Sequence, residues 1–326
     1  MKKTLCILLS LILCAGLLAA CGKTGTEPTD AANREGKLSV VTTIFPEYDW
    51  VMNILGDKAA GAKVDMLLDN GVDLHSYQPT AADIMEIASC DVFIYVGGES
   101  DKWVEDVLEQ TANEHMITVN LLDALGDGVK EEEVKGSMEA EEEEEEDGPA
   151  YDEHVWLSLR NAAALCGTIC DALSEADPAN AEAYRANTDA YREKLTALDG
   201  EYAAVFEAAK VKTLVFGDRF PFRYLTDDYG LDYDAAFVGC SAETEASFDT
   251  VMKLAKKIDE LGVSYLFAIE GTSHELAETI ARETASGEKT VFVLDSMQSV
   301  TDADMDSVSY LSVMEKNLNV LREALD

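Results

Sequence analysis

The segment that decides the fold is PANAEAYRANTDAYREKLTALDGEYAAVFEAAK, residues 178–210. It is rich in Ala, Glu and Leu, and it contains no proline after Pro178. These residues favour helix, so the segment is predicted to form one long linking helix. Its only glycine, Gly200, lowers helix stability by about 1 kcal/mol relative to alanine, which allows a kink or a break there. A helix that joins two lobes restrains hinge motion between them.

On both sides of this segment, β-branched apolar runs alternate with longer stretches of helical period. This alternation predicts an α/β fold with a parallel sheet in each of two lobes. Thr80 and Ser158 are predicted to cap the helices that follow them. Strands are predicted at residues 38–43, 63–68, 92–96 and 117–121, then at 213–217, 265–269 and 290–294, with a short extended piece at 233–238.

The amino terminus has the pattern of a lipoprotein signal peptide. Lys2 and Lys3 precede an apolar run that ends at Leu18, Ala19, Ala20 and Cys21. Residues 1–20 are therefore predicted to be removed, and Cys21 is predicted to carry diacylglycerol at the start of a tether over residues 21–36. The alternative is a transmembrane anchor, but the apolar run is shorter than the roughly 20 residues that span a bilayer.

The remaining chain is long enough for two domains, predicted as an amino-terminal lobe over 37–177 and a carboxyl-terminal lobe over 211–326.

The charge of the chain indicates the kind of partner that it binds. The 64 acidic and 25 basic residues give a net charge of -39, which excludes an ordinary nucleic-acid binder and favours cations as ligands. Four cysteines lie beyond Cys21, and their pairing stays open from sequence alone. They are Cys90, Cys166, Cys170 and Cys240.

An acidic stretch covers residues 131–147 and includes six consecutive glutamates, Glu141 to Glu146. Such a block repels itself in water, so one interpretation is a solvated loop without further function. The other is a cation lure, which raises the local metal concentration beside a binding site and speeds capture. Deleting Glu139 to Asp147 is then expected to slow capture and to leave the equilibrium affinity nearly unchanged.

Two of the four histidines stand where ligands bind in α/β proteins. His75 follows a predicted strand and precedes the helix capped by Thr80, and His154 lies just before the helix capped by Ser158. Ligands of open α/β sheets bind at the carboxyl ends of strands, so His75 and His154 together favour a binding site, for which the net negative charge makes cations the natural partners. Either one alone would be interpreted as a hydrogen-bonded structural residue.

The segments 71–80 and 152–158 resemble the first and second histidine motifs of the zinc and manganese solute-binding proteins of ABC transporters, the ZnuA-like or cluster A-I family. The resemblance covers the whole chain after the signal peptide. It implies two Rossmann-like lobes joined by a long helix, one metal bound between them, and delivery to a membrane permease. It further implies a monomeric receptor outside the cytoplasm, which is not an enzyme.

The third ligand of that family is missing here. Counting back from Tyr229 places Arg219 where relatives carry His or Glu, and a guanidinium cannot coordinate a cation. By the resemblance, Asp295 is the preferred replacement, and the adjacent Asp218 is the second candidate. Glu270 and Glu243 are interpreted as further candidates or as structural hydrogen-bond acceptors.

The donor types set the expected metal. Two imidazoles with one or two carboxylates hold zinc at about 2.0–2.2 Å and also suit manganese, with zinc slightly favoured. A cysteine ligand would favour zinc further, but Cys240 is left outside the predicted site. His115 and His274 are interpreted as surface or structural residues.

Three other functions are considered. One is a zinc hydrolase with His75 and His154 as metal ligands. The sequence gives it little support, because it contains neither an HExxH nor a Gly-x-Ser-x-Gly motif. A receptor for a metal chelate or another small solute would use Arg219 to bind an anionic group. A structural lipoprotein or cell-adhesion protein would bind no stoichiometric metal.

Overall fold

The amino-terminal half is built on a parallel sheet whose central strand is almost completely buried. In the computed structural model, the described residues are 37–139, 150–241, 245–271, 273–305 and 307–326. The central strand β1 (Leu38–Thr42) pairs with β2 (Ala62–Met66) and with β3 (Val92–Tyr95), and β3 pairs with β4 (Ile117–Asn120). All pairs are parallel, in the order β2-β1-β3-β4.

The carboxyl-terminal half repeats this topology. Its sheet has the order β6-β5-β7-β8, again with parallel pairs only. The strands are β5 (Thr213–Phe220), β6 (Asp232–Val238), β7 (Tyr265–Ile269) and β8 (Thr290–Leu294). The predicted extended piece at 233–238 is thus a full strand. β5 runs three residues beyond its predicted end at Gly217, through a register irregularity between Phe216 and Arg219.

Helices cover the sheets, as parallel sheets buried on both faces require. Thr80 caps α2 and Ser158 caps α5, each accepting a backbone N–H of the first turn, which confirms both predicted caps. The helices are α1 (Phe45–Leu55), α2 (Ala81–Ser89), α3 (Trp103–Gln110), α4 (Leu121–Leu125), α5 (Leu159–Ala176), α6 (Ala181–Ala208), α7 (Arg223–Tyr229), α8 (Phe248–Leu261), α9 (Glu275–Glu283) and α10 (Tyr310–Leu325).

The long helix α6 runs without interruption through Gly200. It begins three residues after Pro178 and packs against α5, α1 and α10. Its buried side recurs at helical spacing and is rich in aromatic residues, including Tyr184, Tyr191, Tyr202 and Phe206. The helix is therefore held by elements from both halves of the chain.

Buried hydrogen bonds also connect the two halves near the end of the second sheet. The Tyr310 hydroxyl donates to the carbonyl of Trp156 at 2.7 Å, and the Trp156 indole donates to the carbonyl of Ser296 at 2.9 Å. The predicted α/β class with two parallel-sheet lobes is confirmed. Within the described ranges, no helix combines the length and the apolar composition needed to cross a membrane.

Candidate metal centre

His75 is placed by a short turn after the carboxyl end of β2. It lies in the 3-10 helix Leu74–Ser76, whose N-cap Asp73 accepts the backbone N–H of His75 at 3.0 Å. Its Nδ1 is 2.8 Å from the Ser100 hydroxyl, in the loop after β3. The ring is thus oriented by groups at the ends of two neighbouring strands, and its Nε2 is left for other partners.

His154 is completely buried and is oriented by its own segment. Asp152 Oδ1 accepts the backbone N–H of His154 at 2.9 Å and lies 3.0 Å from its Nδ1. A carboxylate at Nδ1 fixes the ring orientation and leaves Nε2 as the coordinating nitrogen, as is usual for metal-binding histidines.

The two rings converge, with 3.1 Å between His75 Nε2 and His154 Nε2. Two bonds of about 2.0–2.1 Å from a tetrahedral zinc ion would place its two nitrogen ligands about 3.3–3.4 Å apart. The observed separation therefore fits a shared metal ion with almost no movement of either ring. These residues are 79 positions apart in the chain, and the fold brings them together.

Glu153 lies behind this pair. Its Oε2 is 3.4 Å from His75 Nδ1, and its Oε1 accepts the backbone N–H of Ser100 at 2.9 Å. Burial opposes the charged forms of both side chains, but the electrostatic attraction between them outweighs it. The pKa of His75 is therefore raised, and the pKa of Glu153 is lowered. A buried carboxylate at this position also offsets the positive charge of a bound cation.

Cys240 is the residue that the sequence prediction left outside the site. Its Sγ forms a group with the ring nitrogens of His75 and His154, in which all ligand atoms lie within 4.8 Å of one another. We call these three residues the His–His–Cys group. No other group of this kind occurs among the described residues. The thiol, which the sequence prediction leaves outside the site, thus lies beside the histidine pair, two residues beyond the end of β6.

Gly239 explains how the backbone of this loop approaches so closely. A Cβ on Gly239 would lie 3.0 Å from His154 Cε1 and 2.9 Å from the carbonyl oxygen of Phe220. The absence of a side chain lets the loop pack directly against the imidazole. The Gly239-Cys240 pair is the only local signal in the sequence that marks this approach.

Arg219 is near the group but is occupied by other partners. Its guanidinium donates to Asp73 Oδ2 at 2.8 Å and to the carbonyl of Ser241 at 3.1 Å. Burial opposes ionisation of Asp73, but the charges of His75 and Arg219 outweigh it and lower the pKa of this carboxyl. Arg219 thus connects the His75 segment to the Cys240 segment.

The predicted carboxylate ligands are placed differently. Asp218 accepts the backbone N–H of Arg219 at 2.9 Å and that of Ile269 at 3.2 Å. Asp295 accepts the backbone N–H of Met297 at 2.9 Å, and burial raises its pKa. Neither belongs to the His–His–Cys group, because these oxygens are turned to nearby backbone donors. Their role as ligands stays a prediction, which these contacts do not support.

The remaining candidate residues that the structure describes lie outside the His–His–Cys group. Glu270 accepts the backbone N–H and hydroxyl of Ser296, each at 2.7 Å, while Glu243 lies outside the described residues. His115 is exposed, and His274 Nε2 is 3.1 Å from the carbonyl oxygen of Ile269.

The first residues of the acidic stretch, and the residues that follow position 149, lie beside the metal centre. Glu132 N donates to the carbonyl of Ala150 at 2.8 Å, and Asp152 N donates to that of Lys130 at 2.9 Å. Glu132 Oε1 accepts the backbone N–H of Cys240 at 3.1 Å. Residues 140–149, with the run Glu141 to Glu146, lie outside the described residues, as do residues 1–36 with Cys21.

Two parallel α/β lobes, a long helix that packs on both, and histidines that converge at strand ends define a class of two-lobed binding proteins. Residues 40–324 match the family described as the zinc-uptake complex component A, periplasmic. The chain belongs to this family, and the resemblance stated from its histidine segments is confirmed.

Individual relatives agree with this assignment. The chain is 34% identical to a zinc-binding lipoprotein, AdcA, of Streptococcus pneumoniae over 332 residues, which cover 100% of this chain but only 62% of that protein. It is 31% identical to the high-affinity zinc uptake protein ZnuA of Bacillus subtilis, covering 96% and 95% of the two chains. The zinc-bound ZnuA-like domain of Streptococcus pneumoniae AdcA superposes with a TM-score of 0.69 at 33% identity, over 89% of this chain and 100% of that domain.

Proposed function

We propose that this chain is an extracytoplasmic receptor that captures a divalent transition metal and delivers it to the membrane permease of an ABC transporter. The observation that carries the proposal is the 3.1 Å approach of His75 Nε2 and His154 Nε2. Each ring is held by groups at Nδ1, and the pair is surrounded by carboxylates that favour a cation. The relatives named for zinc binding and zinc uptake support the same cargo.

Zinc is the favoured cargo, and manganese is the second candidate. Imidazole donors suit zinc well, whereas manganese prefers sites rich in carboxylate and water oxygen. Asp218 and Asp295, the carboxylates predicted from the sequence, are outside the His–His–Cys group. Within this proposal, the preference for zinc over manganese therefore depends mainly on the two nitrogen donors.

The proposed location is the outer face of the cell membrane, with Cys21 as the lipidated residue and a monomeric receptor as the acting unit. The lipoprotein name of the pneumococcal relative supports the anchor. No enzymatic role is proposed, since a receptor site closes around its cargo. A chelate receptor is not favoured either, because the Arg219 guanidinium is engaged by Asp73 and Ser241.

Calorimetric titration tests this function. The chain from Gly22 onward, stripped of metal, is titrated with zinc and with manganese, in competition with a chelator where binding is tight. We expect one tight zinc site in the unmodified chain. His75→Ala or His154→Ala should abolish tight binding, because each removes a nitrogen donor and buries an unpaired partner.

The exposed His115 supplies the matched control, since His115→Ala removes an imidazole that is not part of the His–His–Cys group. It should bind zinc like the unmodified chain. Normal zinc binding by both the His75 and the His154 variants would refute the site. Weak and multiple binding in the unmodified chain would refute the receptor function itself.

A further inference from the structure

We propose that Cys240 is the third metal donor, so that the cargo is held by two imidazoles and one thiolate. This inference rests on the proposed function and names a donor that the family resemblance does not supply. It begins from the His–His–Cys group, whose ligand atoms lie within 4.8 Å of one another. A cysteine alone would carry no such inference, but here two oriented imidazoles point at the same place.

The distances leave little to change on binding. With Zn–S of about 2.3 Å and Zn–N of about 2.0–2.1 Å, a tetrahedral ion places sulfur about 3.6 Å from each nitrogen. Each sulfur–nitrogen distance therefore has to shorten by no more than about 1.2 Å from the 4.8 Å limit, a change that a side-chain rotation can supply. Gly239 already lets this backbone lie against His154.

The loop that carries Cys240 is fixed from both sides. The backbone N–H of Cys240 donates to Glu132 Oε1 at 3.1 Å, and the carbonyl of the next residue, Ser241, accepts from Arg219 at 3.1 Å. Arg219 itself is bound to Asp73, two residues from His75. The arginine at the missing ligand position thus acts as a positioning residue, which holds the cysteine loop in register with the first histidine.

Coordination exchanges a proton for a metal ion without any redox change. The S–H bond of Cys240 breaks, the Zn–S bond forms, and the proton leaves to the buffer. The carboxylates of Asp152, Glu132 and Glu153 act electrostatically on Cys240. They would offset the positive charge of a bound metal.

A thiolate also gives the site a basis for choosing its cargo. Soft sulfur donors select zinc over manganese, which prefers oxygen. A thiolate in place of a carboxylate or imidazole therefore increases the preference for zinc over manganese, which is small with two histidines alone.

Cobalt substitution tests the donor directly. Cobalt(II) occupies zinc sites, and a thiolate ligand produces an intense sulfur-to-metal charge-transfer band in the near ultraviolet. The chain from Gly22 onward should show this band with one equivalent of cobalt, and zinc should abolish it. Cys240→Ser should remove the band and weaken zinc binding by more than the roughly 10–100-fold that loss of an outer partner causes. Manganese binding should change much less.

Cys166→Ala is the matched control, since Cys166 is buried in α5 and outside the His–His–Cys group. It should keep the cobalt band and the zinc affinity. If Cys240→Ser does not fold, the cobalt spectrum of the unmodified chain decides, because the charge-transfer band reports a thiolate ligand without any substitution. Tight zinc binding without a thiolate band overturns the inference and leaves the proposed function standing. Absence of tight zinc binding in the unmodified chain refutes both.

Discussion

Glu47, in the first turn of α1, is a buried carboxyl group that the metal centre does not use. Its Oε2 accepts the backbone N–H of Thr43 at 2.8 Å, the Thr43 hydroxyl at 3.1 Å and the backbone N–H of Ile44 at 3.3 Å. Burial, and then the charge of Asp101, raise its pKa from 4.5 to about 8. The folded chain therefore keeps Glu47 protonated at neutral pH.

This raised pKa predicts a pH-dependent stability effect for Glu47→Gln. Between pH 4.5 and about 8 the unfolded chain ionises Glu47 while the folded chain does not, so the unmodified protein loses stability as the pH rises through this window. Gln cannot ionise. The variant should therefore gain stability relative to the unmodified protein, by on the order of a few kcal/mol between pH 5 and pH 8.

Urea unfolding of the metal-stripped chain at both pH values measures this difference. The exposed Glu109 supplies the control, since Glu109→Gln should show no comparable change with pH. If the stability difference between Glu47→Gln and the unmodified chain is the same at both pH values, Glu47 is ionised in the folded state and the assignment is wrong.

At this scale the sequence predicted two of the three residues that converge. The local sequence around His75 and His154 predicts a binding site, because each residue lies between a strand or turn and a capped helix. Cys240 carries no such signal, since its closeness to His154 depends on the packing of Gly239. Asp218 lies near the carboxyl end of β5 and Asp295 directly follows β8. Whether a carboxylate faces a metal or a backbone N–H depends on its rotamer, which the sequence does not reveal.

Among the elements, the long helix α6 shows how local preference and packing agree. The sequence allowed a break at Gly200, yet the helix continues from Ala181 to Ala208, because its buried side is packed against α5, α1 and α10. The carboxyl end of β5 was less predictable. Strand ends depend on the neighbouring strand, and here the register shifts between Phe216 and Arg219.

Gly200→Ala should therefore stabilise the protein. A Cβ on Gly200 meets no atom within 4 Å, so the substitution adds helix propensity without any clash. We expect the free energy of unfolding to rise by about 0.5–1 kcal/mol, as measured by urea denaturation.

Gly217 provides the opposite case within β5. A Cβ there would lie 2.6 Å from the Cα of Ala277 and 2.8 Å from its Cβ, so Gly217→Ala should lower the free energy of unfolding. A loss of stability in Gly200→Ala would show that α6 needs a flexible residue at this position.

For the whole molecule, the net charge of -39 acts on a cation before any contact is made. Glu132, in the acidic stretch, and Asp152, which follows it in the chain, make backbone contacts beside the metal centre, and Glu132 also accepts the backbone N–H of Cys240. Glu139 is itself bound to the backbone N–H of Ser247, and deleting it would disturb the second lobe. Substitution of glutamates beyond Glu139 is therefore the cleaner change.

Changing Glu141, Glu142, Glu143 and Glu144 to Gln should slow zinc capture. The association rate constant, measured by stopped flow against a fluorescent chelator, should fall severalfold at low ionic strength. At 1 M salt, where the Debye length is about 3 Å, the difference should vanish. The equilibrium affinity should change less than the rate.

Four exposed acids on α6 give a control with the same change in net charge at a different place. They are Glu182, Asp189, Glu193 and Glu207. Their conversion to amides should leave the rate close to that of the unmodified chain. Equal slowing by both sets would mean that total charge, and not the acidic stretch, attracts the cation.

Contacts between residues that are far apart in the chain are the hardest to predict from the sequence. Arg219 and Asp73 are 146 positions apart, and no periodicity or motif relates them. The class of fold follows from repeated local patterns, while the pairing of distant side chains follows only from how two lobes are packed together.

The three proposed metal donors lie on both sides of the long helix in the chain. His75 and His154 precede α6 and Cys240 follows it, so the proposed donors are divided two to one. Separation of the lobes would withdraw the sulfur and leave the ion on two nitrogens. A chelate that loses one arm at a time passes its ion on in steps, and the two-nitrogen stage is the natural moment of transfer to the next protein.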